Sequence, residues 1–151
     1  MYYKFCFVLT TFLYSLFLIY IMNALTAIFM KEHAALNLLF KEYSNERSIQ
    51  RKIILMKDIQ RQLFAHFKEE ETYYFKYEDN IKEIVLTLNR LKSEHELLTA
   101  LVKKENPDID NFIRFLMVHE HIEENTIYPE LEKHIKQEDI DELLKQLLKL
   151  N

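Results

Sequence analysis

The chain has 151 residues, 49% of them hydrophobic, with 20 lysines and arginines against 24 aspartates and glutamates and a formal charge of −4, which is enough for one domain with a real core. The mild acidity, with no basic cluster, argues against nucleic acid as a partner, and a lone cysteine, Cys6, excludes an internal disulfide and any cysteine-based zinc site. No glycine and only two prolines, Pro107 and Pro129, leave a sheet without its turn residues while helix formers abound, so the chain reads as all-α.

Residues 5–30 carry no charge and exceed the roughly 20 apolar residues that a bilayer requires. A membrane span is the literal reading. The stretch is too long for a signal peptide and lacks a small-residue cleavage site. From Met22 onward, however, Leu25, Ile28, Phe29, His33, Leu36 and Phe40 follow the three-and-four spacing of an amphipathic helix facing a core. The domain is therefore expected over residues 22–151, with the bundle placed in the cytoplasm. Residues 1–21 remain a hydrophobic N-terminal segment, either an anchor that ties the domain to a membrane or a start assigned too far upstream. Composition does not separate the two.

The first helix should break within KEYSNERSIQ, where Ser44, Asn45 or Ser48 can cap the next. Helix two is expected to turn Ile53, Met56, Ile59, Leu63, His66, Glu70 and Tyr73 or Tyr74 inward and to end near YEDN. The third has the cleanest periodicity, with Ile84, Leu88, Leu91, His95, Leu98 and Val102 stepping by fours and threes. Pro107 stops it and Asp108 offers a cap for the fourth. That helix carries Phe112, Leu116, His119, Glu123 and Ile127 on one face and should kink or end at Pro129. A short tail, IDELLKQLLKL, places Ile140, Leu143, Leu144 and Leu147 on one side, suited to packing across the end of the bundle. Four helices with short connections predict an up-down-up-down four-helix bundle with a hydrophobic N-terminal extension and a short C-terminal helix.

Two stretches echo each other, AHFKEEETYYF and VHEHIEENTIYP. In each, a histidine precedes a glutamate by four residues, His66 before Glu70 and His119 before Glu123, which stacks the two side chains on one helical face. Counting from the turns at 1.5 Å per residue puts His66, His95 and His119 on nearly one level, joined by His33 if the first turn lies near Ser48. Two buried glutamates beside four imidazoles are costly unless neutralised. Two divalent cations would resolve that cost, each held by two histidines and one oxygen of each glutamate, with Glu70 and Glu123 bridging. Imidazole suits iron, zinc, copper or nickel. Octahedral ions would keep positions for a bridging oxide or hydroxide and for a small exogenous ligand.

The remaining candidates read differently. His121 and His134 are expected at the surface or behind the ligands, and Glu69, Glu71, Glu120 and Glu124 on a solvated face. Tyr73, Tyr74, Tyr77 and Tyr128 are read as aromatic packing.

EHAALNLLF around His33, HFKEEE from His66, SEHELL around His95 and HEHIEENTIYPEL from His119 together resemble the hemerythrin-like family, the HHE cation-binding domains, over about residues 25–133. The resemblance implies a non-heme di-iron centre, bridged by carboxylate and oxo or hydroxo groups, with His33, His66, Glu70, His95, His119 and Glu123 as ligands. Oxygen-carrying members have a second histidine on helix three, where this chain has Leu91, and commonly an aspartate five residues after the helix-four histidine, where this chain has Glu123 at four. The four-histidine, two-glutamate set is more similar to that of the di-iron proteins of iron-sulfur cluster repair. The expected function is binding of, or reaction with, a small ligand such as O2, NO or peroxide, in sensing, storage, detoxification or repair. The alternative is an iron-responsive module whose metal occupancy is read by a protein partner of unknown kind.

Overall fold

The computed structural model describes residues 26–75, 81–82, 84–105, 107–136, 138–139, 141–142 and 145. Among them there is helix and no strand, as expected of a chain without glycine. Four long helices carry the domain. Helix α1 is described over 26–45, α2 runs Ile49–Glu69, α3 Val85–Val102 and α4 Ile109–Ile122. Ser48 accepts a hydrogen bond from the Arg51 amide and starts α2, and Asp108 accepts one from the Asn111 amide and starts α4.

α2 and α4 do not end at their glutamates. Each passes into a single π turn, Glu70–Tyr74 and Glu123–Ile127, and α4 then resumes as α5 over Tyr128–His134. Pro129, expected to kink or end the fourth helix, instead sits in the first turn of α5, where its missing N–H leaves no bond unmade.

The core falls into two apolar layers. One contains Phe29, Phe75, Leu88, Leu91, Ile127, Tyr128 and Leu131, and the other Leu36, Phe40, Ile59, Leu63, Phe67, Leu98, Phe112 and Leu116. The four inward histidines stand at the join. Along α1 the chain passes from the first layer through His33 to the second, and along α2 from the second through His66 to the first. α3 repeats the order of α1 about His95, and α4 that of α2 about His119.

The expected inward stripes hold for α1, α3 and α4, with Phe29, Leu36, Phe40, Ile84, Leu88, Leu91, Leu98, Val102, Phe112, Leu116 and Ile127 all buried. In α2 the stripe needs correcting. Ile53 is 53% exposed, Met56 is only partly buried, and Leu55 takes the inward position. Stepping back from Ile59 by threes loses about 60° per step, so Ile53 has rotated some 120° off the buried face. Steps of four keep Leu55, Ile59 and Leu63 in line.

Among the described residues no helix is long and apolar enough to cross a membrane. The expectations for residues 1–21, and for Leu25, lie outside the described residues, as do those for the YEDN turn and for Ile140, Leu143, Leu144 and Leu147. Residues 26–30 of the uncharged run belong to α1, where Phe29 is buried in the first layer and Thr26 bonds to Glu132 of α5.

Candidate metal centre

All six donors expected from the sequence meet at the join between the layers. His33, His66, Glu70, His95, His119 and Glu123 are each at most 4% exposed. They form two overlapping groups whose donor atoms lie within 4.8 Å of one another, His33–His66–Glu70–Glu123 and Glu70–His95–His119–Glu123. The glutamates are common to both.

The imidazoles face each other in pairs. His33 Nε2 lies 2.9 Å from His66 Nε2, and His95 Nε2 lies 3.0 Å from His119 Nε2. What drives the rings into this arrangement is visible on their other nitrogens. Glu124 accepts from His33 Nδ1 at 2.8 Å, Glu32 from His66 Nδ1 at 2.9 Å, Glu71 from His95 Nδ1 at 2.8 Å and Glu94 from His119 Nδ1 at 2.9 Å. An ionised carboxylate only accepts, so each Nδ1 carries a hydrogen, and in a neutral ring Nε2 then turns its lone pair toward its neighbour. Two lone pairs at such a distance repel unless something positive lies between them.

That separation fits a cation. Two metal–nitrogen bonds of about 2.0–2.1 Å meeting at a right angle hold their nitrogens about 2.9 Å apart, and at a tetrahedral angle about 3.3–3.4 Å apart. Both pairs are close enough for one ion to be held by the two rings together. Glu70 Oε2 lies 3.4 Å from His66 Nε2 and 3.3 Å from His95 Nε2, facing both pairs with one oxygen. Glu123 divides its oxygens, Oε2 lying 3.6 Å from His33 and Oε1 3.0 Å from His119. Glu70 Oε2 and both oxygens of Glu123 are buried without a well-formed hydrogen bond. Unmet acceptors of this kind are expensive in an apolar interior, and cations satisfy them.

Among the protein groups alone, protons have to supply the positive charge. Burial pushes the His66 imidazole down, but Glu70, Glu32 and Glu123 outweigh it and raise it to about 9. Burial likewise acts against His95, and the adjacent Glu123 and Glu70 carboxylates carry it up to about 10. His119 is raised in the same way by Glu123. Burial alone would raise Glu123, yet the facing His119 and His95 imidazoles hold it well below the usual carboxylate range.

The π turns determine which residues reach the centre. In an α-helix the fifth residue after a ligand points about 140° away. Here the Phe75 amide bonds to the Glu70 carbonyl and the Tyr128 amide to the Glu123 carbonyl, an i→i+5 turn that returns Phe75 and Tyr128 to the inner face. The Phe75 ring stacks on His95 at 5.7 Å and the Tyr128 ring on His33 at 6.0 Å. Tyr128, read from the sequence as packing, also donates its hydroxyl hydrogen to Glu70 Oε1.

The outer carboxylates mark what the sequence reading missed. Glu32 and Glu94 were not singled out, and Glu71 and Glu124, expected on a solvated face, each grip a buried histidine. The signal was present: a glutamate precedes His33 and His95 directly, and one follows His66 and His119 at five residues. Glu120, also expected in solvent, is 5% exposed, with Oε2 accepting from Asn37 of α1 at 3.0 Å. Burial pushes its carboxyl up. His121 and His134 lie at the surface, beside Asn125 and Glu130 respectively.

Compared with protein-family models, with curated proteins and with solved structures, the chain finds no match in any of the three.

Proposed function

We propose that this chain is a hemerythrin-like, non-heme di-iron protein whose four helices form an up-down-up-down bundle around two ions. The alternation of the two apolar layers about the four histidines supports that topology, since it makes α1 and α3 run one way and α2 and α4 the other. One observation carries the metal reading. Two pairs of Nε2 atoms stand 2.9 and 3.0 Å apart around two shared glutamates, three of whose oxygens lack a proper hydrogen bond.

The choice of iron rests on the donor set. Mixed imidazole and carboxylate donors, four and two in number around two positions, would suit a pair of redox-active ions such as iron. When bound, such a pair supplies a site that can exchange electrons with a small molecule such as O2, NO or peroxide. The chain's own residues do the rest. Glu32, Glu71, Glu94 and Glu124 hold each Nδ1–H, so every ring has its Nε2 aimed at the centre, open to a metal once any proton there has left. Glu70 and Glu123 span the two halves, and the apolar layers above and below exclude water.

The test is metal quantitation on the purified protein with its absorption spectrum. About two irons per chain and near-ultraviolet bands of an oxidised bridged pair are expected, both falling in His95→Ala. A protein that binds no iron under reducing, anaerobic reconstitution would overturn the reading.

A further inference from the structure

The centre is built from two copies of one pattern. α1 and α3 each carry a Glu-His pair, Glu32–His33 and Glu94–His95, and α2 and α4 each carry a histidine followed at four and five residues by glutamates. The π turns recur at the same place in both copies. Laying one copy on the other pairs Glu70 with Glu123 and Phe75 with Tyr128. The two inner glutamates are therefore equivalents, and whatever separates them has to come from residues that differ between the copies.

They are not presented alike. Glu123 turns both oxygens to the imidazoles, Oε1 lying 3.0 Å from His119 Nε2 and Oε2 3.6 Å from His33 Nε2, with neither making a well-formed hydrogen bond. Glu70 turns only Oε2 to them, 3.4 Å from His66 Nε2 and 3.3 Å from His95 Nε2. Its Oε1 accepts the hydroxyl hydrogen of Tyr128. The residue equivalent to Tyr128 in the other copy is Phe75, which has no hydroxyl to give.

The phenol is built to hold that oxygen. Tyr128 is fully buried, and its ring lies between His33 and Phe29, with centroids at 6.0 and 5.5 Å. Its oxygen also lies 3.3 Å from His33 Nε2, but a carboxylate is the stronger acceptor and takes the hydrogen. Turning Glu70 Oε1 away would leave a buried hydroxyl without its acceptor.

We propose that Tyr128 is a positioning residue of the centre: by holding Glu70 Oε1 it leaves that glutamate a single oxygen for the two ions, while Glu123 keeps both of its oxygens for them. The inference rests on the two-ion centre above. It makes the two bridges chemically unequal. A hydrogen bond to an anionic ligand takes up part of the ligand's charge, so Glu70 gives less of it to the ions than an unbonded carboxylate would, and the reduced pair gains relative to the oxidised one. Removing the hydroxyl frees Oε1, returns that charge to the centre and favours the oxidised pair.

The test is a redox titration of the iron-loaded full chain, wild type and Tyr128→Phe, with iron content measured on both and a crystal structure of the iron-loaded wild type. Tyr128→Phe keeps the ring, and is expected to retain the iron of wild type while its oxidised-to-reduced equilibrium shifts about ten-fold toward oxidised, a potential lower by about 59 mV for one electron. A role in packing alone would alter melting temperature or iron content and leave the potential of the loaded centre in place. A potential equal to or above that of wild type, at equal iron content, would overturn the positioning role. So would an iron-loaded wild-type structure in which Glu70 gives both oxygens to the ions, a result that decides the matter even if Tyr128→Phe fails to fold or to hold iron. Absence of iron from the wild-type protein would overturn the dinuclear reading itself, so the two failures are distinguishable.

Discussion

Glu94 on α3 accepts a hydrogen bond from His119 Nδ1 on α4 at 2.9 Å, with both residues buried, while its other oxygen is held by Arg90 at 2.7 Å. Glu71 does the same for His95 at 2.8 Å, but its side chain is 43% exposed. The two contacts differ in dielectric surroundings rather than in geometry. Glu94→Ala is expected to weaken metal binding about 10- to 100-fold, as loss of a ligand's outer partner commonly does, and Glu71→Ala by less. Competition with a chromophoric chelator measures both.

Metal uptake should expel protons. His66 and His95, raised to about 9 and about 10 among the protein groups alone, are both protonated at neutral pH, and a metal ion needs their Nε2 lone pairs. About two protons per chain are expected to leave on full loading, read from the buffer dependence of the calorimetric enthalpy. The sign for the metal-free protein is opposite in pH. Both folded values lie above the ordinary 6.5, so this stabilisation is complete below about 6.5 and is lost as pH rises through 9 to 10. Thermal melts of chelator-treated protein should fall in that window, whereas metal affinity rises toward it.

Bridging and terminal ligands should fail differently. Glu123 faces both histidine pairs, and His33 belongs to only one of the two groups. Glu123→Ala is expected to lose both ions and His33→Ala about one of the two, as resolved by native mass spectrometry.

Phe67 stacks on His95 and also belongs to the second apolar layer. Truncating a buried phenylalanine costs about 3–5 kcal/mol. Phe67→Ala should therefore show that loss in urea unfolding of the metal-free protein.

Thr26 on α1 donates to Glu132 on α5 through both its amide, at 3.0 Å, and its hydroxyl, at 2.6 Å. Glu132 is 5% exposed, so removing it leaves two donors without an acceptor at a partly covered site. Glu132→Ala is expected to cost about 1–3 kcal/mol, and hydrogen exchange should show the gain in opening concentrated at the start of α1.

The six inward donors were legible because each lies on an apolar stripe of helical period, where His33 or His95 stands out as the wrong residue type. The stripe itself slipped at Ile53, where steps of three drift off the face that steps of four maintain. Glu120 and Glu124 were misplaced, and the contact made by the exposed Glu71 was missed, for a different reason. Their positions relative to a straight helical wheel are outward or lateral, and what uses them is a side chain of a neighbouring helix, a histidine for Glu71 and Glu124 and Asn37 for Glu120, which no single-helix period encodes. Tyr128 was hidden by the π turn, since a wheel drawn at 3.6 residues per turn rotates it away from Glu123.

The four outer contacts have a further consequence when followed around the domain. Glu32 of α1 holds a ring on α2, Glu71 beyond α2 holds one on α3, Glu94 of α3 holds one on α4, and Glu124 beyond α4 returns to α1. The circuit closes on itself in a single sense, so no segment can swing away without breaking two links, freeing two imidazoles and stranding two acids. Loosening any quarter should therefore slacken the whole hoop, and ion release should accompany concerted opening of the domain rather than the parting of a single flap.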